Sequence, residues 1–162
     1  MRKRKVFSVF RLSRMTDYGV VLLSYMAQQP NVLCTAPELA DRTTLPAPTV
    51  AKILKSLSKA GVLAATRGAL GGYVLSRPTQ EISVSEIITA LDGPVALTAC
   101  VDGSDDNCAV ESLCPMAGGW NRINLAVKSA LDNVSLADLI SDSGMIRHFE
   151  DAPASGLATV GR

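Results

Sequence analysis

The sequence predicts a mainly α-helical protein with one small β-hairpin and a long helix towards its C-terminus. Three observations carry that prediction. Apolar residues recur at helical spacing through most of the 162 residues. Thr35-Ala36-Pro37-Glu38 and Ser83-Val84-Ser85-Glu86 have the composition of capping boxes, which mark helix starts. Between them the helical period gives way to two short apolar runs around a glycine-rich stretch, as a hairpin requires.

From Thr16 to about Gln28, Tyr18, Val21, Leu22, Tyr25 and Met26 lie three and four residues apart, an amphipathic helix that ends before Pro30. Thr35 caps a second helix that runs to about Arg42, and Thr43-Thr44-Leu45 makes the turn. A third helix opens near Pro48, turns Val50, Ile53, Leu54 and Leu57 inward, and stops at Gly61. Two short helices joined by a tight turn, the second polar and basic on one side, form a helix-turn-helix. Val62 to Thr66 and Tyr73 to Leu75, joined by Arg67-Gly68-Ala69-Leu70-Gly71-Gly72, then supply the hairpin wing of a winged helix.

Ser83 opens a fourth helix through Ile87, Ile88 and Leu91 that stops at Asp92-Gly93-Pro94. After a loop rich in Asp, Gly and Cys, a long helix from about Ala117 to Asn133 carries Trp120, Ile123, Leu125, Val127 and Leu131. So broad an apolar surface in so small a chain calls for a partner, and a second copy of the chain is expected, giving a homodimer. Ser135 caps a last short helix through Leu139 and Ile140. The expected organisation is a basic extension (1–10), a winged helix-turn-helix DNA-binding domain (11–93), a cysteine loop (94–116), a dimerisation helix with a short last helix (117–140) and a flexible acidic tail (141–162).

Charge is divided unevenly. The formal net charge is +1, yet Met1 to Arg77 holds 12 basic and 3 acidic residues while Pro78 to Arg162 holds 4 basic and 12 acidic. A strongly basic first half points to a polyanion, and double-stranded DNA is the expected partner. No run of apolar residues reaches the 18 or so that a membrane span needs. The opening Met-Arg-Lys-Arg-Lys precedes too short an apolar segment for a signal peptide, so a cytoplasmic protein is expected. The single histidine, His148, excludes a histidine-centred triad, and no other constellation suggests an enzyme or a small-molecule substrate.

On the third helix, Thr49 and Lys52 are expected to reach base edges in a major groove, with Ser56 beside them and Lys55 and Lys59 on phosphates. Arg67 at the wing tip is expected in the adjacent minor groove, with Gly71, Gly72 and Tyr73 completing the wing surface. Cys100, Cys108 and Cys114 form C-x7-C-x5-C within one loop. Reduced thiols at that spacing suit a soft metal, and an iron–sulfur cluster tolerates it better than a single zinc ion does. A fourth ligand is needed, and Asp102, Asp105, Asp106, Glu111 or Asp17 could supply it. Cys34, between Leu33 and Thr35, reads as a core residue.

Arg11-Leu12-Ser13 with Thr16-Asp17-Tyr18, Lys59-Ala60-Gly61, the wing Arg67 to Tyr73, the helix from Val84 to Leu91 and three cysteines before Trp120 together resemble the IscR-type family of bacterial winged-helix regulators. The resemblance runs from about Arg11 to Ile140. It implies a homodimeric transcriptional repressor governed by an iron–sulfur cluster, with [2Fe-2S] favoured over [4Fe-4S]. Met15-Thr16-Asp17-Tyr18 and Cys114-Pro115-Met116 are most similar to the branch that regulates SUF iron–sulfur assembly. The IscR branch has a histidine three residues after the last cysteine, where this chain has Ala117. In the nitric-oxide-sensing branch an aspartate matching Asp17 reaches across the dimer, so the resemblance implies Cys100, Cys108, Cys114 and Asp17 as the ligand set. Nitric-oxide- or iron-responsive repression and a zinc-stabilised constitutive repressor are the alternatives.

Overall fold

Helix α1 spans Arg14–Ala27, α2 Ala36–Thr43 and α3 Ala47–Lys59; strands β1 and β2 span Leu63–Thr66 and Gly72–Leu75. A single 3-10 turn at Thr79–Glu81 leads to α4 (Val84–Asp92), then α5 (Ala117–Asp132) and α6 (Leu136–Ser143). This computed structural model describes residues 12–68, 70–98, 101 and 117–143. The architecture is the one expected, mainly helical with a two-stranded antiparallel hairpin. The cysteine loop from 102 to 116, Cys100, the basic extension and residues 144–162 lie outside the described residues; residues 141–143, expected in the tail, end the helix Leu136–Ser143 instead.

Helix α1 starts two residues before the expected Thr16, for a reason that is long-range. Ser13 is its N-cap and accepts hydrogen bonds from the amides of Met15 and Thr16 at 3.1 and 3.4 Å. The carboxylate that completes a capping box comes from Asp92 at the end of α4: it accepts from the Ser13 amide at 2.9 Å and from the Ser13 hydroxyl. Burial works to raise the Asp92 carboxyl, but these Ser13 bonds outweigh it and hold the group below its ordinary value. Asp92 therefore latches the two helices together at their ends.

A depressed carboxyl stabilises the fold above its unfolded value and loses that contribution as pH falls through the folded one. The latch is fully present above the ordinary value of 3.8 and is lost on acidification below it. Because Asp92 is exposed to solvent, Asp92→Asn is expected to cost only about 1 kcal/mol at neutral pH. Urea melts at pH 7 and pH 3 check this, since the difference between the two proteins must shrink at the lower pH.

One core unites the elements. Leu22, Leu23 and Met26 of α1, Leu39 of α2 and Val50, Ile53, Leu54 and Leu57 of α3 are buried together with Leu63, Ile82 and Ile87. Each such side chain contributes about 1.5–3 kcal/mol on burial. Gly19 lets α4 approach α1, since a Cβ there would collide with Leu91 Cδ1. Leu136 is also fully buried in this core, and its amide donates to the Ile82 carbonyl at 2.8 Å while the Val84 amide donates to Val134 at 2.9 Å. The corner between α5 and α6 is thus stitched onto the core shared with α1 to α4.

Helix α5 behaves differently. Asn124 is the one buried side chain among its described residues, whereas Trp120, Ile123 and Leu125 are 37%, 44% and 57% exposed. Val127 and Leu131 are half-buried, so among the described residues the apolar positions of α5 are covered only in part.

The turn of the helix-turn-helix stores strain. Thr44 ends α2 at φ 57° and ψ 21°, and among the described residues it is the one non-glycine with positive φ. A β-branched residue pays about 1–2 kcal/mol for that conformation, which asparagine tolerates better. Thr44→Asn is expected to stabilise the fold by about 0.5–1 kcal/mol, read as a higher thermal midpoint, with DNA binding unaltered.

Candidate nucleic-acid interface

Helix α3 separates its faces by period. Val50, Ile53, Leu54 and Leu57 are fully buried, while Lys52, Lys55 and Lys59 are exposed on the opposite side, with Thr49 and Ser56 half-buried between. Thr49, Lys52, Ser56 and Lys59 recur at three- and four-residue steps, so they form one stripe along the helix. Helix α3 ends sharply because Gly61 adopts φ +79° and the Val62 amide folds back to the Leu57 carbonyl at 3.0 Å. That stop launches β1 directly from the helix and fixes the wing beside the lysine stripe.

In the wing, Leu63 pairs with Leu75, Ala64 with Val74, Ala65 with Tyr73 and Thr66 with Gly72. Tyr73 also exchanges both backbone hydrogen bonds with Cys34, each at 2.9 Å, so β2 is flanked on both sides. Arg67 and Leu70 stand exposed at the tip, Leu70 by 91%. The expected wing contacts divide here. Arg67 is free to meet a ligand, but Gly71 and Gly72 are needed by the hairpin itself: a Cβ at Gly71 would strike the Thr66 carbonyl, and one at Gly72 would lie 2.9 Å from the Cys34 carbonyl. Tyr73 is half-buried and packs against the core.

The base of the wing is fastened internally. The Ser76 hydroxyl donates to the Gly61 and Val62 carbonyls at 2.6 and 3.0 Å. Arg77 donates to the Glu81 carbonyl at 3.1 Å and pairs with Glu86, the capping-box carboxylate of α4. Burial works to raise Glu86, but the Ser83 amide and the Arg77 guanidinium hold it below the usual range. One of the basic charges counted in the first half is therefore spent inside the fold.

Cys34 is half-buried against the core, as its neighbours suggested. Burial, and secondarily the Glu38 charge, push its thiol up, which keeps it protonated and unreactive. Asp17 lies exposed in the first turn of α1. Cys100, Cys108 and Cys114, with Asp102, Asp105, Asp106 and Glu111, lie outside the described residues. Among the described residues no group of three or more His, Cys, Asp or Glu could hold a metal ion, and no helix is long and apolar enough to cross a membrane.

Three thiols are donors of the kind that hold an iron–sulfur cluster. Described backbone lies on either side of the cysteine segment. Cys100 follows by three residues Leu97, whose amide is held by Asn124 of α5 at 3.0 Å. Cys114 precedes by three residues Ala117, where α5 begins. Seven residues separate Ala117 from Asn124, a rise of about 10 Å.

A helix-turn-helix with a lysine stripe, closed by a hairpin wing, defines the winged-helix class of transcriptional regulators. Residues 12–142 match the Rrf2 family, described as iron-dependent transcriptional regulators, and the chain belongs to that family. It is similar to CymR (YrzC), the global cysteine regulator of B. subtilis, at 28% identity over 83% of this chain and 98% of that one, with a TM-score of 0.61. T. potens IscR is 26% identical over 85% and 91% of the two chains, with a TM-score of 0.58. CymR of Staphylococcus aureus is 30% identical over 79% and 96%, with a TM-score of 0.56. The winged-helix regulator family expected from the sequence is met at the level of Rrf2, with CymR proteins standing beside IscR among the similar structures.

Three residues of interest escaped the sequence reading. Leu70 was visible as a large apolar side chain at a wing tip. Asp92 and Asn124 gave no local signal, because each acts on a segment far away in sequence.

Proposed function

We propose that the protein is a homodimeric, iron–sulfur-dependent repressor of SUF assembly genes that works in the cytoplasm. The observation that carries the DNA reading is the stripe on α3 formed by exposed Lys52 and Lys59 with half-buried Thr49 and Ser56, with Lys55 at its edge and Arg67 on the wing beside it. An α-helix fills a major groove, and a wing arginine suits the negative potential of the next minor groove. Trp120 and Ile123, exposed three residues apart on one side of α5, are the surface for the second subunit. Two α3 helices then meet the duplex about 34–36 Å apart.

Cys100, Cys108 and Cys114, with Asp17 of the partner subunit, are the residues that would hold the cluster, [2Fe-2S] in preference to [4Fe-4S]. Bound there, it supplies sensitivity to iron supply and oxidation. The chain's own contribution is to bond Val95 and Leu97, which precede the cysteines, to Asn124 of α5, so that a change at the cysteines bears on the dimer and on the spacing of the two α3 helices. A coupling of about 1–3 kcal/mol changes DNA affinity roughly 5- to 150-fold.

Anaerobic purification with metal analysis, visible absorption and native mass tests the reading. A dimer holding iron and sulfide, with iron-loaded and metal-free forms that differ in binding to the promoter of a SUF operon, is the expected result. A zinc-only protein would favour a constitutive zinc-stabilised repressor instead, since the same thiols bind zinc. A cluster that responds to nitric oxide without SUF promoter binding would favour the nitric-oxide branch.

A further inference from the structure

Leu70 is the most exposed large apolar residue among the described residues, at 91%. A lone leucine on a surface is ordinary, but this one is held out on a braced tip. The Gly71 amide donates to the Gly68 carbonyl at 3.0 Å, Thr66 pairs with Gly72, and Gly71 is so closely enclosed by the Thr66, Arg67 and Gly68 backbone that no Cβ fits there. The leucine is therefore presented at a fixed place.

The surroundings say what it is presented to. No acidic residue occurs between Asp41 and Glu81, a stretch that holds all of α3 and the wing, while Lys and Arg recur through it. That surface favours a polyanion over an apolar protein partner. From Gly68 to Gly72, Leu70 is the one residue whose side chain extends beyond Cβ, so the tip is slender, as a minor groove about 6 Å wide requires. Arg67, exposed three residues earlier, supplies the charge that such a groove attracts. An arginine beside a projecting apolar side chain is the pairing by which minor-groove proteins wedge a base step open and kink the duplex.

We infer that Leu70 is a wedge that enters the minor groove next to the α3 footprint and partly unstacks one base step. This rests on the DNA reading above and adds to it a source of specificity that needs no hydrogen bond to a base. Pyrimidine–purine steps such as TA unstack most easily, so the wing favours operators that carry one where it lands.

The test uses full-length wild type, L70A and L70M. Wild type first selects duplexes from a random pool, and the adenines of the selected site are then replaced singly by 2-aminopurine, which brightens when its base unstacks. Selection is expected to enrich a TA or CA step beside the α3 footprint, and the probe at that step should brighten on binding. Exchanging that step for AA should weaken wild type about 10-fold or more. L70A should lose both the brightening and the discrimination between the two duplexes, whereas L70M, which keeps a long apolar side chain, should retain them. Circular dichroism checks that the variants fold. Selected duplexes that brighten nowhere with wild type, or that brighten equally with L70A, overturn the wedge and leave the DNA reading standing. A change in self-association alone in L70A, read by sedimentation, would assign Leu70 to contacts between copies and also overturn it. A pool from which no duplex is enriched overturns the DNA reading itself.

Discussion

Replacing Lys52, Lys55 and Lys59 together by alanine is expected to abolish operator binding at physiological salt and leave the fold intact. The three side chains are exposed and make no part of the core that Val50, Ile53, Leu54 and Leu57 build on the other side of α3. Alanine is also the best helix former, so the substitutions cost the helix nothing locally. If each lysine neutralises one phosphate in each of two subunits, the slope of log affinity against log salt should flatten by about 5. At low salt the affinity itself should fall by about three orders of magnitude. A salt titration of binding, with circular dichroism as the control for folding, checks both. An unchanged slope would mean that these lysines face solvent alone and that the DNA surface lies elsewhere.

Single substitutions on that stripe separate the two kinds of contact. Lys59→Ala should weaken all duplexes alike, because a phosphate contact carries no sequence information. Thr49→Ala should narrow the gap between operator and random DNA instead, since it removes a group placed at base edges.

Much of the fold was legible because local signals and burial agree. Helix α3 shows why: the residues that a 3.6-residue period turns inward are the ones that are fully buried, so its lysine stripe could be read before its neighbours were known. The capping boxes at Thr35 and Ser83 are formed as the sequence suggested, because both halves of each lie within one turn. The start of α1 was read late for the opposite reason. Its capping carboxylate belongs to Asp92, 79 residues from Ser13, and no local pattern shows such a pair.

The candidate site divides along the same line. Exposed lysines on a periodic helix are visible in sequence; an arginine committed to Glu86 is not, and Arg77 entered the charge count as though it were free. Asn124 reads as one more polar residue on an amphipathic helix until its two backbone partners, 27 and 29 residues earlier, are seen. The cysteine spacing shows its donor chemistry in the sequence alone, whereas the bonds that Val95 and Leu97 make before it are tertiary contacts.

Gly71→Ala is expected to disable the wing more thoroughly than removal of Arg67 itself. The Cβ at Gly71 would meet the Thr66 carbonyl oxygen, with the Gly68 oxygen at 2.9 Å and the Arg67 carbonyl carbon at 3.0 Å. All three are backbone atoms of the same tight tip, so no side chain can rotate away. Relief requires the tip to open, which breaks the 3.0 Å bond from the Gly71 amide to Gly68 and the register of Thr66 with Gly72. Overpacking of this kind costs about 1–3 kcal/mol. Leu63 and Leu75, buried at the far end of the hairpin, keep its base attached, so the protein should stay folded with a lower midpoint. Arg67 and Leu70 would lose their fixed placement together, and DNA affinity should fall at least as far as in Arg67→Ala. Gly61→Ala is the comparison, because it strains a positive φ in open space and leaves the wing tip untouched. Equal stability loss in the two variants, with DNA binding lost only in Gly71→Ala, would tie the defect to the wing; binding retained in Gly71→Ala would show that the tip never touches the duplex.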